Sequence, residues 1–129
     1  MGVIGVGLDT VEIDRFRTAI TRTPNLVGRL FTADERAYCE RARDPTERFA
    51  VRFAAKEAVM KALSVGLGAF AWHDVEVVRA DSGQPSLALR GKAAALAAER
   101  GVTTWHLSLT HSALVAEAIF APEGPVSRW

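Results

Sequence analysis

Glu57 and Lys61 stand four residues apart within Arg52-Phe53-Ala54-Ala55-Lys56-Glu57-Ala58-Val59-Met60-Lys61. If that stretch is helical, both side chains project from one face. A carboxylate there can hold a divalent metal, and a lysine beside it can reach a phosphate. That pairing suits phosphoanhydride chemistry. The plain alternative is an exposed i,i+4 ion pair worth a few tenths of a kcal/mol. On a helical wheel, Phe49, Phe53, Met60 and Leu63 form an apolar stripe, with Glu57 and Lys61 on its flank. Lys56 falls inside the stripe, where a lysine ordinarily lays its stem on apolar surface and keeps its head in water.

Two further residues could join this pair. Asp9 follows the apolar run Val3–Leu8. It reads either as a helix N-cap or as a second metal ligand. Magnesium accepts one or two carboxylates together with substrate phosphates and water. His111 lies in Leu107-Ser108-Leu109-Thr110-His111-Ser112, at a turn after a strand. It reads either as a structural histidine or as one that bonds a phosphate or assists proton transfer. No His–Cys cluster has zinc spacing. Gly2, Gly5 and Gly7 do not form a G-x-G-x-x-G turn or a P-loop.

The elements that must position these residues follow from pattern. Val3–Leu8 reads as a buried strand and Val11–Thr23 as a helix with an Ile13, Phe16, Ile20 stripe, stopped by Pro24-Asn25. Thr32-Ala33-Asp34-Glu35 is a capping box that opens a helix to about Arg43. Asp44-Pro45-Thr46-Glu47 starts the central helix, which runs to about Leu63 and stops before Gly66-Leu67-Gly68. Val75–Arg79 and Ser86–Leu89 read as strands joined by a turn over Asp81–Pro85. Gly91–Glu99 reads as a helix, Trp105–Thr110 and Leu114–Phe120 as a closing hairpin, and Pro122–Trp129 as a loose tail.

Composition excludes several classes. The chain has 129 residues, 49% of them apolar and 24% charged, which is an ordinary single globular domain. We therefore expect one domain over residues 1–121 and a C-terminal tail over 122–129. The net charge of +1, from 16 basic and 15 acidic residues, gives no broad argument for nucleic acid or a membrane surface, and neither is expected as a partner. No segment reaches the length of a membrane span, and Met1–Leu8 lacks the basic start of a signal peptide. Cys39 is the one cysteine, so no internal disulfide can form, which fits a cytoplasmic location. A core of this size is modest, and assembly into an oligomer would add to it.

Taken together, Gly5-Val6-Gly7-Leu8-Asp9, Arg52–Ala58 with Lys61-Ala62-Leu63, and Ser108-Leu109-Thr110-His111 resemble the holo-acyl-carrier-protein synthases, the small bacterial 4'-phosphopantetheinyl transferases. Phe31–Glu35 with Tyr38, and the Gly83-Gln84-Pro85 turn, are similar to further segments of that family. The resemblance spans nearly the whole chain. It implies an α+β fold, a small antiparallel sheet packed against helices, assembled as a homotrimer with each active site between subunits. It implies Mg²⁺-dependent transfer of phosphopantetheine from coenzyme A to a serine of apo acyl carrier protein, releasing adenosine 3',5'-bisphosphate. By the same resemblance Asp9 and Glu57 match the Mg²⁺ ligands, and Lys61 and His111 match residues near the CoA phosphates. Arg52 matches a cation on those phosphates. The base stays open among Glu57, a metal-bound water and His111.

The resemblance further implies that the first helix, which carries Arg15, Arg17 and Arg22, docks the acidic carrier protein, with Arg15 as the expected contact. The carriers would belong to fatty-acid or polyketide synthesis. Larger relatives carry another acidic residue two positions after the first aspartate; here that residue is Val11. Two other readings compete. A nucleotide pyrophosphohydrolase would want a run of glutamates on one helix, which is missing. A non-catalytic oligomeric module would leave Asp9, Glu57 and Lys61 as caps and pairs.

Overall fold

The computed structural model describes residues 1–125. The chain folds in the order β1 (Gly2–Val3), β2 (Gly7–Glu12), α1 (Ile13–Arg22), α2 (Leu26–Leu30), α3 (Ala33–Cys39) and α4 (Thr46–Ala62). A short 3-10 turn, Trp72–Asp74, leads into β3 (Val75–Arg79) and β4 (Pro85–Leu89). Then come α5 (Gly91–Glu99), β5 (Thr104–His111) and β6 (Val115–Gly124). All strand pairs are antiparallel. β6 is central: β5 lies on one side, and β2 with β1 lies on the other. β3 and β4 form a separate two-stranded ribbon. This is the α+β class expected from the resemblance.

α4 crosses the inner face of the larger sheet, and small residues allow it to come close. A Cβ on Gly7 would stand 1.7 Å from the Ala58 carbonyl oxygen, and one on Gly5 would stand 2.3 Å from that of Ala62. Ala54, Ala55 and Ala58 on the helix are fully buried. α4 is thus walled in on most sides, and the narrow stripe read from the wheel understates its burial. Lys56 is 0% exposed and does not snorkel. Its ammonium is instead held inside the protein by Glu35, at 2.9 Å.

Several element boundaries move, for identifiable reasons. The expected strand Val3–Leu8 is split in two, and Val3, Val6 and Leu8 are exposed. Side chains alternate along β2, so contact of Gly7 with α4 sends Leu8 to the opposite face. β2 then continues to Glu12, so Asp9 lies mid-strand and is not a helix cap; Glu12 occupies the N-cap position of α1. α2 was not expected, and α3 stops at Cys39, short of Arg43. Its capping box is present as read, with Thr32 and Glu35 bonding reciprocally. Pro45 precedes α4 instead of opening it, while the Asp44 carboxylate accepts the Thr46 N–H at 3.1 Å. β6 extends through Pro122 to Gly124, both buried, so the expected tail begins as strand. Residues 126–129 of that tail lie outside the described residues.

Candidate active site

Asp9 enters the site because β2 is pressed onto α4. The Lys61 ammonium donates to Asp9 Oδ1 at 2.9 Å and to the Leu8 carbonyl at 3.0 Å. Glu57 stands one helical turn before Lys61 and lines the same cleft as Asp9, an open hollow of about 660 Å³. Burial pushes the Glu57 carboxyl above its ordinary value; the Asp9 carboxylate adds to the shift, and Lys61 opposes it. Two carboxylates that repel each other at the mouth of a cleft are a donor set for a hard divalent cation. The described residues contain no group of three or more His, Cys, Asp or Glu with metal-site geometry. Asp9 and Glu57 could hold Mg²⁺, which needs only one or two protein carboxylates when phosphates complete its shell.

One wall of this cleft is apolar. Phe16, Phe53 and Trp72 line it, with ring centroids 5.3 Å apart for Phe16–Phe53 and 5.4 Å for Phe53–Trp72. Arg15, exposed on α1, and Leu67 stand at the rim. Arg17 is not free for an acidic partner, because Asp14 and Asp44 hold it at 2.5 and 2.8 Å.

A second cleft, of about 530 Å³, gathers Arg48, Arg52, Arg79, Tyr38 and His111. The guanidinium carbons of Arg48, Arg52 and Arg79 lie 4.4, 4.5 and 5.1 Å from the Tyr38 ring centroid. Arg52 is 3% exposed and donates to the Arg48 carbonyl at 3.2 Å. Its Nε is buried with no hydrogen-bond partner. An unpaired donor in a cationic hollow is a place for an anion. His111 closes β5, with Nδ1 3.4 Å from a Glu47 carboxylate oxygen. Ser112 makes the following turn: its hydroxyl oxygen accepts the N–H groups of Leu114 and Val115, each at 3.2 Å.

The five residues singled out from the sequence thus fall into two groups. Asp9 and Glu57 share the first cleft, and Lys61 is paired with Asp9. Arg52 and His111 share the second. Glu47, the neighbour of His111, and Lys61 are fourteen positions apart on α4, about 21 Å at 1.5 Å per residue. Within one chain, His111 and Lys61 do not meet at a common phosphate. Arg48 and Arg79 were missed. Arg48 had a signal, since it precedes Arg52 by one turn on the same helix. Arg79 had none, because its place depends on how the β3–β4 ribbon docks.

Comparison with known proteins identifies the family. Residues 5–118 match the model of the 4'-phosphopantetheinyl transferase superfamily. A holo-[acyl-carrier-protein] synthase of Frankia casuarinae is 50% identical over 123 residues, covering 95% of this chain and 99% of that protein. One from Streptomyces avermitilis is 50% identical over 124 residues, covering 96% and 100%. The fold superposes on that of a Chronobacterium ammoniagenes ACPS–CoA complex with a TM-score of 0.85 at 27% identity, covering 98% of this chain and all of that one. The chain belongs to the 4'-phosphopantetheinyl transferase superfamily and, within it, to the holo-acyl-carrier-protein synthases.

Proposed function

We propose that this chain transfers the 4'-phosphopantetheine group of coenzyme A to a serine hydroxyl of an apo acyl carrier protein. The serine oxygen forms a bond to the phosphorus on the pantetheine side, and the pyrophosphate bridge breaks. Adenosine 3',5'-bisphosphate leaves, and the serine proton passes to a base. The observation that carries this reading is that Asp9 shares a cleft with Glu57 and is bonded by Lys61 from the same helix. Asp9 and Glu57 would hold Mg²⁺, which neutralises charge on the pyrophosphate when bound. Lys61 faces the leaving phosphate and stabilises the charge that grows there. Arg52, with its orphaned Nε, and His111 hold the remaining CoA phosphates in the arginine cleft.

The separation of the two clefts supports a site completed by a second copy. One subunit supplies Asp9, Glu57 and Lys61; a neighbour supplies Arg52 and His111. A homotrimer satisfies this with three equivalent interfaces. The outer face of the sheet offers a contact surface: Leu8 and Ile119 are cross-strand partners, 50% and 44% exposed. Val3 and Val6, nearby in the chain, are exposed as well. Arg15, at the rim of the carboxylate cleft, is the docking contact for an acidic carrier of fatty-acid or polyketide synthesis. The proposal places the reaction in the cytoplasm, where the CoA and Cys39 thiols stay reduced. No helix among the described residues is long and apolar enough to cross a membrane.

The test is direct. The protein is incubated with CoA, Mg²⁺ and an apo carrier protein, and the carrier is weighed by mass spectrometry. A gain of one phosphopantetheine is expected. An unchanged carrier mass overturns the reading, and nucleotide cleavage without a carrier would make the chain a hydrolase.

A further inference from the structure

We propose that Lys56 is a positioning residue, which sets the apolar wall of the active cleft without touching substrate. The proposal rests on the transferase reading above. Lys56 is the chain neighbour of Glu57, yet points the other way, into the protein. An ammonium has three N–H donors. Here they face three acceptors: Glu35 Oε1 at 2.9 Å, the Trp72 carbonyl at 3.1 Å and the Val75 carbonyl. Glu35, also fully buried, accepts the Thr32 N–H at 3.0 Å and the Val77 N–H at 2.9 Å. One ion pair thus ties α3, α4, the 3-10 turn and β3 together.

What the pair specifies is the more informative point. A buried ion pair gains little net stability over an apolar pair of the same shape, but losing one partner is costly. Its consequence here is geometric. Lys56 fixes the Trp72 backbone, and the Trp72 ring lies against Phe53. Both rings wall the cleft that holds Asp9 and Glu57. The helix residue before Glu57 therefore fixes how far the wall stands from the carboxylates.

The experiment compares Lys56→Met/Glu35→Gln with the wild-type protein. The double variant removes both charges and keeps most of the shape. Its kcat should fall about tenfold to a hundredfold, the usual cost of misplacing reacting groups by about 1 Å. Affinity for adenosine 3',5'-bisphosphate, which the arginine cleft holds, should stay within twofold. Trp72 emission, read with Trp105 and Trp129 replaced by Phe, should shift. Val102→Ala, packed against the same core beyond α5 and away from the pair, should lower stability and leave kcat and Trp72 emission unchanged. Wild-type kcat with unshifted emission in the double variant overturns the proposal, as does an equal loss of kcat in Val102→Ala. If the double variant does not fold, Glu35→Gln alone carries the same readouts. If the wild-type protein transfers nothing, the transferase reading fails, and the emission shift still decides whether Lys56 places Trp72.

Discussion

Lys61 Nζ lies 2.9 Å from Asp9 Oδ1, so the cation of the pair occupies a carboxylate that the proposed metal requires. If Asp9 is a metal ligand, as proposed, lysine and metal would compete for it. On the proposed reading, the Lys61 ammonium would yield Asp9 to a bound cation and turn to the phosphate. The side chains are 53% and 14% exposed, which keeps their mutual attraction to about 1 kcal/mol or less. Lys61→Gln should therefore move two quantities in opposite directions. Binding of Mg²⁺ alone, measured calorimetrically, should tighten by about fivefold at most. Turnover should fall by about a hundredfold or more, as for loss of a charge-stabilising donor. Unchanged turnover would make Lys61 a bystander.

Glu57 gives a pH dependence of definite sign. Its folded-state pKa lies above the ordinary value of 4.5, chiefly through burial and then through Asp9. A raised acid binds its proton more tightly in the fold than in the unfolded chain. Its stabilising contribution is complete below the ordinary value and is lost as pH rises through the folded value. Once ionised, Glu57 is thus a cost to the metal-free fold. Glu57→Gln should raise the neutral-pH denaturation midpoint and flatten that acid-side decline. Adding Mg²⁺ should stabilise the wild-type protein and leave the variant unmoved. Stabilisation of both by Mg²⁺ would remove Glu57 from the site.

The central helix was legible because its signals are local: a start at Asp44–Glu47, a stop near Gly66 and periodic apolar residues between. The capping box at Thr32 was legible for the same reason. Asp9 was misplaced because its environment is tertiary. Pairing with the distant β6 carries the strand past the aspartate to Glu12. Lys56 was misread for a related reason. Its partner Glu35 is 21 residues away, and a capping glutamate does not advertise a second bond to a distant lysine. The division of the site into two clefts was equally hidden, since spacing along α4 gives distance but not which face docks where.

Ser64 makes a stability prediction independent of the chemistry. It follows the C-cap of α4 with φ of 57°, the left-handed region that glycine usually fills. The Val65 N–H bonds the Met60 carbonyl at 3.0 Å and the Ser64 N–H bonds that of Lys61 at 3.1 Å, a Schellman ending. A side chain in this conformation costs about 1 kcal/mol. Ser64→Gly should recover much of that, less the greater freedom of glycine in the unfolded chain. The urea midpoint should rise, with the slope of the transition unchanged. A lower midpoint would mean that the serine hydroxyl has a partner worth more than the strain.

The two-cleft arrangement yields a complementation test. Asp9→Asn/Glu57→Gln should destroy the carboxylate cleft and leave the arginine cleft whole. Arg52→Ala/His111→Ala should do the reverse. Each variant alone should be inactive in carrier modification. Under the proposed assembly, each site takes one cleft from each of two neighbouring subunits. Mixing the variants under conditions that allow subunit exchange creates some sites in which both contributing clefts are native. In a closed ring whose interfaces repeat head to tail, random mixing in equal amounts restores about a quarter of the sites. Carrier modification should therefore reappear on mixing and be absent before exchange. A further substitution, Leu8→Glu, places a charge on the exposed apolar patch shared with Ile119. It should block both assembly, seen by light scattering, and recovery on mixing. If sites were complete within one chain, mixing would restore nothing, because every chain lacks one half.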